Sequence, residues 1–224
     1  MQAEEILDIN KRSYEMIADD FSETRQFLNP DIKVLISEVK DIDSVLDLGC
    51  GNGRLLAGLT NAKYIGVDGS AGLIAEAKKN YPGKKFVQAD ILTLNTPQQF
   101  NVIFMLSVLN HFPKKYHEEI VKKVSSILKP GGKLFMINWN MWKLSGKKNI
   151  WHGKHVSGLK GIMTVWKSGV KKAPLFYYAF TKGELRALLE KNNFTVAQNY
   201  FSKNGEIGNW RKSHNIVTIA VKKA

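Results

Sequence analysis

The chain has 224 residues and a mass of 25.3 kDa, with 33 Lys+Arg against 20 Asp+Glu. At 44% hydrophobic and 24% charged it holds enough apolar material for one core, which excludes wholesale disorder and fits a single domain over 1–224. No run of 18 apolar residues occurs, the first residues are acidic, and Cys50 is the lone cysteine. A membrane span, an apolar leader, an internal disulfide framework and a multi-cysteine zinc site are therefore not expected; a cytosolic protein is.

Glu4 to about Phe21 reads as a leading helix, with Ile6, Ile9, Met16, Ile17 and Phe21 as an apolar stripe. Ser22-Glu23-Thr24-Arg25 follows as a polar connector, and Pro30-Asp31 opens a second helix. Strands are expected at 44–48, 64–68, 85–89, 100–106 and 133–138. Between them, a helix starts at Arg54, another runs from a Ser70 cap to about Asn80, and a third spans Lys114 to Leu128 before Pro130-Gly131-Gly132. Alternation at this spacing predicts a three-layer, doubly wound α/β fold, because parallel strands need helical crossovers. The expected sheet is mostly parallel and seven-stranded. Residues 1–43 are expected to cover its binding edge.

The period breaks after Asn138. Residues 139–177 are rich in Trp, Gly and Lys, and read as a basic insertion or substrate cap with at most one short helix. Thr181 with Glu184 forms a capping box for a helix to Lys191. Two closing strands are expected at 194–201 and 215–221.

The net charge of +13 is unevenly spread. From Ile120 to Gly183 there are 13 lysines and no arginine, aspartate or glutamate, while the rest of the chain has 20 basic and 20 acidic residues. Such a stretch, with Trp139, Trp142, Trp151 and Trp166, suits a polyanion.

Asp47-x-Gly49-x-Gly51-x-Gly53 lies between a strand and a helix, where glycines permit a tight turn and close ligand approach. The spacing is not G-x-G-x-x-G, and no P-loop Lys-Ser/Thr pair follows. Asp68 ends the next strand, placed for two ribose hydroxyls; Asp90 ends the third, placed for an adenine amine with Ile91 against the ring. The set, with Cys50, Asn52, Gly69, Ala89 and Leu106 as further lining, describes a nucleoside pocket without a phosphate grip. S-adenosylmethionine is such a ligand; NAD is the alternative. No histidine spacing describes a metal site.

Val45-Leu46-Asp47-Leu48-Gly49-Cys50-Gly51-Asn52-Gly53, Ile65-Gly66-Val67-Asp68, Gln88-Ala89-Asp90-Ile91 and Leu128-Lys129-Pro130-Gly131-Gly132-Lys133-Leu134 resemble the motifs of class I, Rossmann-like S-adenosylmethionine-dependent methyltransferases. Tyr14 to Arg25, Trp166-Lys167-Ser168 and Phe176 to Leu185 resemble, more narrowly, the eukaryotic-type tRNA wobble-uridine carboxymethyl methyltransferases. That resemblance implies methylation of the carboxylate of 5-carboxymethyluridine in tRNA, and a small zinc-containing activating partner. Two departures stand out: Ala179 where the family has histidine after paired tyrosines, and Asn110-His111 where it often has paired histidines. The alternative acceptor is a small carboxylic acid or another small metabolite. A different class altogether is a nonenzymatic cofactor-binding subunit that presents a basic surface to RNA.

A carboxylate acceptor is already ionised near neutral pH, so it needs positioning and cations rather than a base. Arg25 is the clamp candidate. Tyr14, Tyr177 and Tyr178 are candidates for the acceptor walls, and His111 for a base if the acceptor is a hydroxyl or amine. Trp139 is placed at the acceptor entrance. Lys143, Lys147, Lys148, Lys154, Lys160, Lys171 and Lys172 are the candidates for phosphate contacts.

Overall fold

The computed structural model describes residues 1–59, 61–144 and 150–224. The chain opens with α1 (Ala3–Met16) and α2 (Ala18–Glu23). These replace the single helix expected to Phe21. The break is at Ile17, fully buried, with φ −103° and ψ 13°. Asp19 and Asp20 fall in the first turn of α2, where acids favour a new helix start. α3 (Pro30–Ile36) begins after Asn29, whose side chain accepts from Asp31 N.

The central sheet comprises β1 (Ser44–Leu48), β2 (Lys63–Asp68), β3 (Lys85–Gln88), β4 (Phe100–Leu106), β5 (Leu128–Trp139), β9 (Phe194–Lys203), β10 (Glu206–Gly208) and β11 (Asn215–Lys222). Its order is β10-β9-β11-β5-β4-β1-β2-β3. β3 through β5 pair in parallel; β5–β11, β11–β9 and β9–β10 pair antiparallel. The sheet is thus eight-stranded and mixed, which corrects the expected count of seven; five of its strands pair in parallel. The unforeseen β10 is three exposed residues turned back at Gly205 (φ +85°), too short and polar to carry an alternating signal.

α4 (Ala71–Asn80), α5 (Lys114–Ile127) and α6 (Lys182–Lys191) complete the layers. Ser70 caps α4 through Leu73 N, and Thr181 with Glu184 closes the capping box of α6. Each such cap contributes about 1 kcal/mol. The helix expected at Arg54 is only a 3-10 turn over Arg54–Ala57. Two apolar clusters flank the sheet, one including Leu46, Ile103, Val124 and Leu185, the other Val45, Phe104, Phe135 and Val217. Alternate residues of β1 and β4 thus serve opposite faces.

The stretch read as an aperiodic insertion holds a separate antiparallel sheet: β6 (Lys154–Ser157), β7 (Gly161–Trp166) and β8 (Ala173–Tyr178). No helix occurs there among the described residues. Ile162, Trp166, Leu175 and Tyr177 pack with Ile17 and Met141 into a third small core. Polar ties fasten this sheet to α1 and α2. Ser13 Oγ donates to Pro174 O at 2.6 Å, Lys171 N to Asp20 Oδ2 at 2.6 Å, and Lys171 Nζ pairs with Asp19 at 2.7 Å. No described helix is long and apolar enough to cross a membrane.

Candidate functional site

The strand order reverses between β1, which continues to β2, and β4, which continues to β5. A cleft of about 560 Å³ opens at the carboxyl ends of these strands, as expected at such a switch point. The glycine loop forms one wall. Gly49, Gly51 and Gly53 have φ of +75°, +56° and +78°. A Cβ on Gly49 would lie 2.3 Å from Val108 Cγ2, so only glycine allows the loop this close to the β4 end.

Asp68 lies on the cleft, anchored by donation from Gly51 N and Ser70 N, each at 2.9 Å. Burial raises its pKa, against the lowering effect of these bonds. Each carboxylate oxygen keeps a lone pair for a ribose hydroxyl. Asp90 accepts from Leu92 N through Oδ1 at 2.8 Å and is exposed on the cleft beside buried Ile91. Gly69, Ala89 and Leu106 line the same space. These residues fit a nucleoside: two hydroxyl acceptors at one strand end, an amine acceptor and an apolar plate at the next.

Three expected lining residues lie behind the loop instead. Asp47 is 2% exposed and accepts from Tyr64 OH at 2.9 Å; burial raises its pKa to about 7. Its Oδ1 has no hydrogen-bond partner among the described residues. Cys50 is buried against Gly66, and burial raises its thiol pKa, which makes it a packing residue rather than a nucleophile. Asn52 Nδ2 donates toward Ser22 O and Arg25 O, both at 3.3 Å, and so ties the loop to the end of α2.

Across the cleft stand Tyr14, Arg25, His111, Trp139 and Tyr177. His111 sits in a 3-10 turn, Leu109–His111, after β4. Its Nδ1 is 2.9 Å from Phe176 O and its Nε2 is 2.8 Å from Tyr14 OH. A carbonyl only accepts, so Nδ1 carries the proton, and in the neutral ring Tyr14 OH donates to Nε2. Asn10 fixes this arrangement, donating to His111 O and accepting from Phe176 N, both at 2.8 Å. Burial raises the Tyr14 pKa, which keeps the phenol protonated. The Tyr177 ring is 4.7 Å from the His111 ring, and Trp139 packs on Tyr177 at 6.3 Å.

Tyr178 does not join them. Alternation along β8 turns it to the other side, where its OH donates to Glu184 Oε1 at 3.1 Å and its ring packs on His117 and Phe180. The phosphate-contact lysines also scatter. Lys143 is 6% exposed, with Nζ 3.1 Å from His214 Nδ1. Lys160 pairs with Glu184 at 2.6 Å and Lys171 with Asp19. Acids outside the lysine-rich stretch fold onto it. Lys154 and Lys172 are exposed, and Lys147 and Lys148 lie outside the described residues.

The cleft also contains residues the sequence did not mark. Arg54 lines it half-buried, its pKa lowered by burial and then by the nearby Arg25. Position directly after the third glycine was the available signal. Arg25 lies 5.6 Å over the Phe21 ring. Neither guanidinium has an ion-pair partner among the described residues. Ser107, also on the wall, has φ +62°, held by donation of its N–H to Ile137 O at 2.7 Å.

A methyltransferase-domain family matches residues 45–132. The trans-aconitate 2-methyltransferase of Methylobacterium nodulans is 37% identical over 92 residues, 39% of this chain and 35% of that protein. A probable tRNA methyltransferase 9B of Bos taurus is 29% identical over 130 residues, 57% of this chain and 28% of that protein. The chain thus spans little more than a third of these curated relatives, or less. Among solved structures, the DhpI–SAH complex superposes with a TM-score of 0.72 at 15% identity, covering 99% of each chain. A Haloferax volcanii methyltransferase in complex with the Trm112 methyltransferase activator gives 0.71 at 16% identity, covering 96% of this chain and 98% of that one. The eight-stranded mixed sheet with its switch-point cleft is the Rossmann-like class I fold of these solved structures, and residues 45–132 are similar to the methyltransferase-domain family.

Proposed function

We propose that the chain transfers the methyl group of S-adenosylmethionine to a carboxylate oxygen, forming a methyl ester, with 5-carboxymethyluridine of tRNA as the acceptor. The observation that carries the carboxylate is the pair of guanidiniums, Arg25 and Arg54, facing one cleft without an acid partner among the described residues. Two such cations suit two carboxylates, one on the amino-acid end of the cofactor and one on the acceptor. In this reading Arg54, beside the glycine loop, holds the first, and Arg25 holds the second.

When bound, S-adenosylmethionine supplies an electrophilic methyl group. The residues of this chain do the rest. Asp68 and Asp90 orient the nucleoside, Arg25 aligns and partly desolvates the acceptor, and Tyr177 with Trp139 closes the apolar side. His111 is not required as a base, because a carboxylate acceptor is already ionised near neutral pH; its ring holds Tyr14. The tRNA acceptor is supported by the tRNA methyltransferase 9B match, which reaches across 57% of the chain. A small activating protein partner, as in the Haloferax volcanii complex, belongs to the same reading. A second reading, a small polycarboxylic acid as acceptor, is favoured by the higher identity to trans-aconitate 2-methyltransferases.

The test is methyl transfer from labelled cofactor to tRNA bearing 5-carboxymethyluridine, the free nucleoside and trans-aconitate in parallel. A mass gain of one methyl on the modified uridine supports the lead reading. Transfer to trans-aconitate alone replaces it with the second.

A further inference from the structure

We infer that the loop 209–214, with Lys203 beside it, is a docking surface for the backbone and an unpaired base of RNA. This rests on the RNA acceptor reading above, yet it concerns residues outside the cleft and outside the lysine-rich stretch.

The loop joins β10 to β11. The residue that follows it, Asn215 of β11, is the register partner of Trp139, which lines the cleft, so the loop stands on the same sheet edge as the methyl-transfer site. Its backbone is tightly fixed. Buried Asn140 donates from Nδ2 to Trp210 O at 2.7 Å and Ser213 O at 2.9 Å, and from its main-chain N to His214 O at 2.8 Å. Asn209 Oδ1 accepts from Arg211 N at 3.0 Å and Lys212 N at 3.2 Å. This frame turns Trp210, Arg211 and Lys212 outward, with Trp210 41% exposed and the Arg211 guanidinium 5.4 Å over its ring.

The cations there are not ion-paired. Lys203, Arg211 and Lys212 have no ion-pair partner among the described residues, and 207–224 contains no aspartate or glutamate. Beneath them, Lys143 is buried with no carboxylate partner among the described residues. An ammonium only donates, so His214 Nδ1 accepts from it; His214 is neutral, with a donor at Nε2. Burial first, and then Lys143 and Lys203, lower the His214 pKa, while Asp31 raises it. The nearby acid Asp31 is buried, accepts from Ser202, Gly205 and Asn215, and pairs with none of these cations. Glu206 remains as an exposed acid at the edge. Cations on a stiff loop recognise phosphates, while an exposed indole offers a stacking face that an acidic protein or lipid surface has less use for.

The experiment measures binding of the full chain to a labelled RNA stem-loop by fluorescence anisotropy over a salt series. Arg211→Glu/Lys212→Glu is expected to weaken binding about 30-fold at low salt and to lower the salt slope by about 1.5. Trp210→Ala is expected to weaken it about tenfold with the slope unchanged. Lys84→Glu/Lys85→Glu, at the opposite end of the sheet, is expected to change it less than about threefold. All variants should methylate free 5-carboxymethyluridine as the unaltered chain does, which shows that they are folded. Unchanged RNA binding in the loop variants overturns the inference and leaves the acceptor reading standing. Equal losses at both sheet ends also overturn it, since the charge effect is then diffuse. Loop-dependent binding to anionic phospholipid vesicles without RNA binding assigns the surface to a membrane and overturns it too. Failure of the unaltered chain to methylate the free nucleoside contradicts the acceptor reading separately.

Discussion

The cofactor wall and the acceptor wall of one cleft are built in different ways. The first, from β1 to β4, rests on backbone: three left-handed glycines, strand ends, and acids fastened by main-chain donors. The second rests on side chains from distant segments, with Tyr14, Asn10, His111 and Phe176 locked together across α1, a 3-10 turn and β8. A wall made from one local motif presents a fixed ligand shape. A wall assembled from far-apart segments lets the acceptor change while the cofactor stays.

The largest expected break of this contrast is Asp68→Ala. It should weaken S-adenosylmethionine binding about 100-fold by calorimetry, because a charged acceptor of two ribose hydroxyls is lost. Arg25→Ala should do the reverse, lowering kcat/KM for the acceptor about 50-fold while cofactor affinity stays within about threefold. Arg25→Lys should recover only part, since one ammonium does not match the carboxylate fork.

Asp47 sharpens the comparison through pH. Its folded pKa of about 7 exceeds the unfolded value, so the folded state binds more protons between about pH 4 and 7. Its contribution to stability is therefore present in full below pH 4 and falls by at most about 1.4 kcal/mol per pH unit until pH 7. Chemical denaturation across that range should show the slope, and Asp47→Asn should flatten it. The smallest effect is expected for Tyr178→Phe, which removes the bond to Glu184 and should cost about 1 kcal/mol of stability with kcat unchanged. A large fall in kcat there would return Tyr178 to the acceptor wall.

The sequence made most of the cofactor wall legible because its features are local, although Asp47, Cys50 and Asn52 lie behind the loop and Arg54 went unmarked. β1, β4, the Ser70 cap and the Thr181–Glu184 box fall where pattern and capping chemistry place them. On the second wall Tyr14, Arg25, His111, Trp139 and Tyr177 were named from the sequence and do line the cleft, but what holds them together was hidden, because it spans distant segments. Nothing in Asn10 announces that it bridges His111 and Phe176. The strands of the small sheet are buried unevenly, so neither period appears; Tyr178 lies beside Tyr177 in sequence but across the strand in space. The charge count also misled, because Asp19 and Glu184 lie outside the lysine-rich stretch and neutralise Lys171 and Lys160 within it.

The most direct test of carboxylate methylation is the alkali lability of the product. The unaltered chain should move labelled methyl onto free 5-carboxymethyluridine, the label should leave as methanol in mild alkali, and Arg25→Ala should lose most of the transfer. A product stable to alkali, or transfer indifferent to Arg25, would contradict the account.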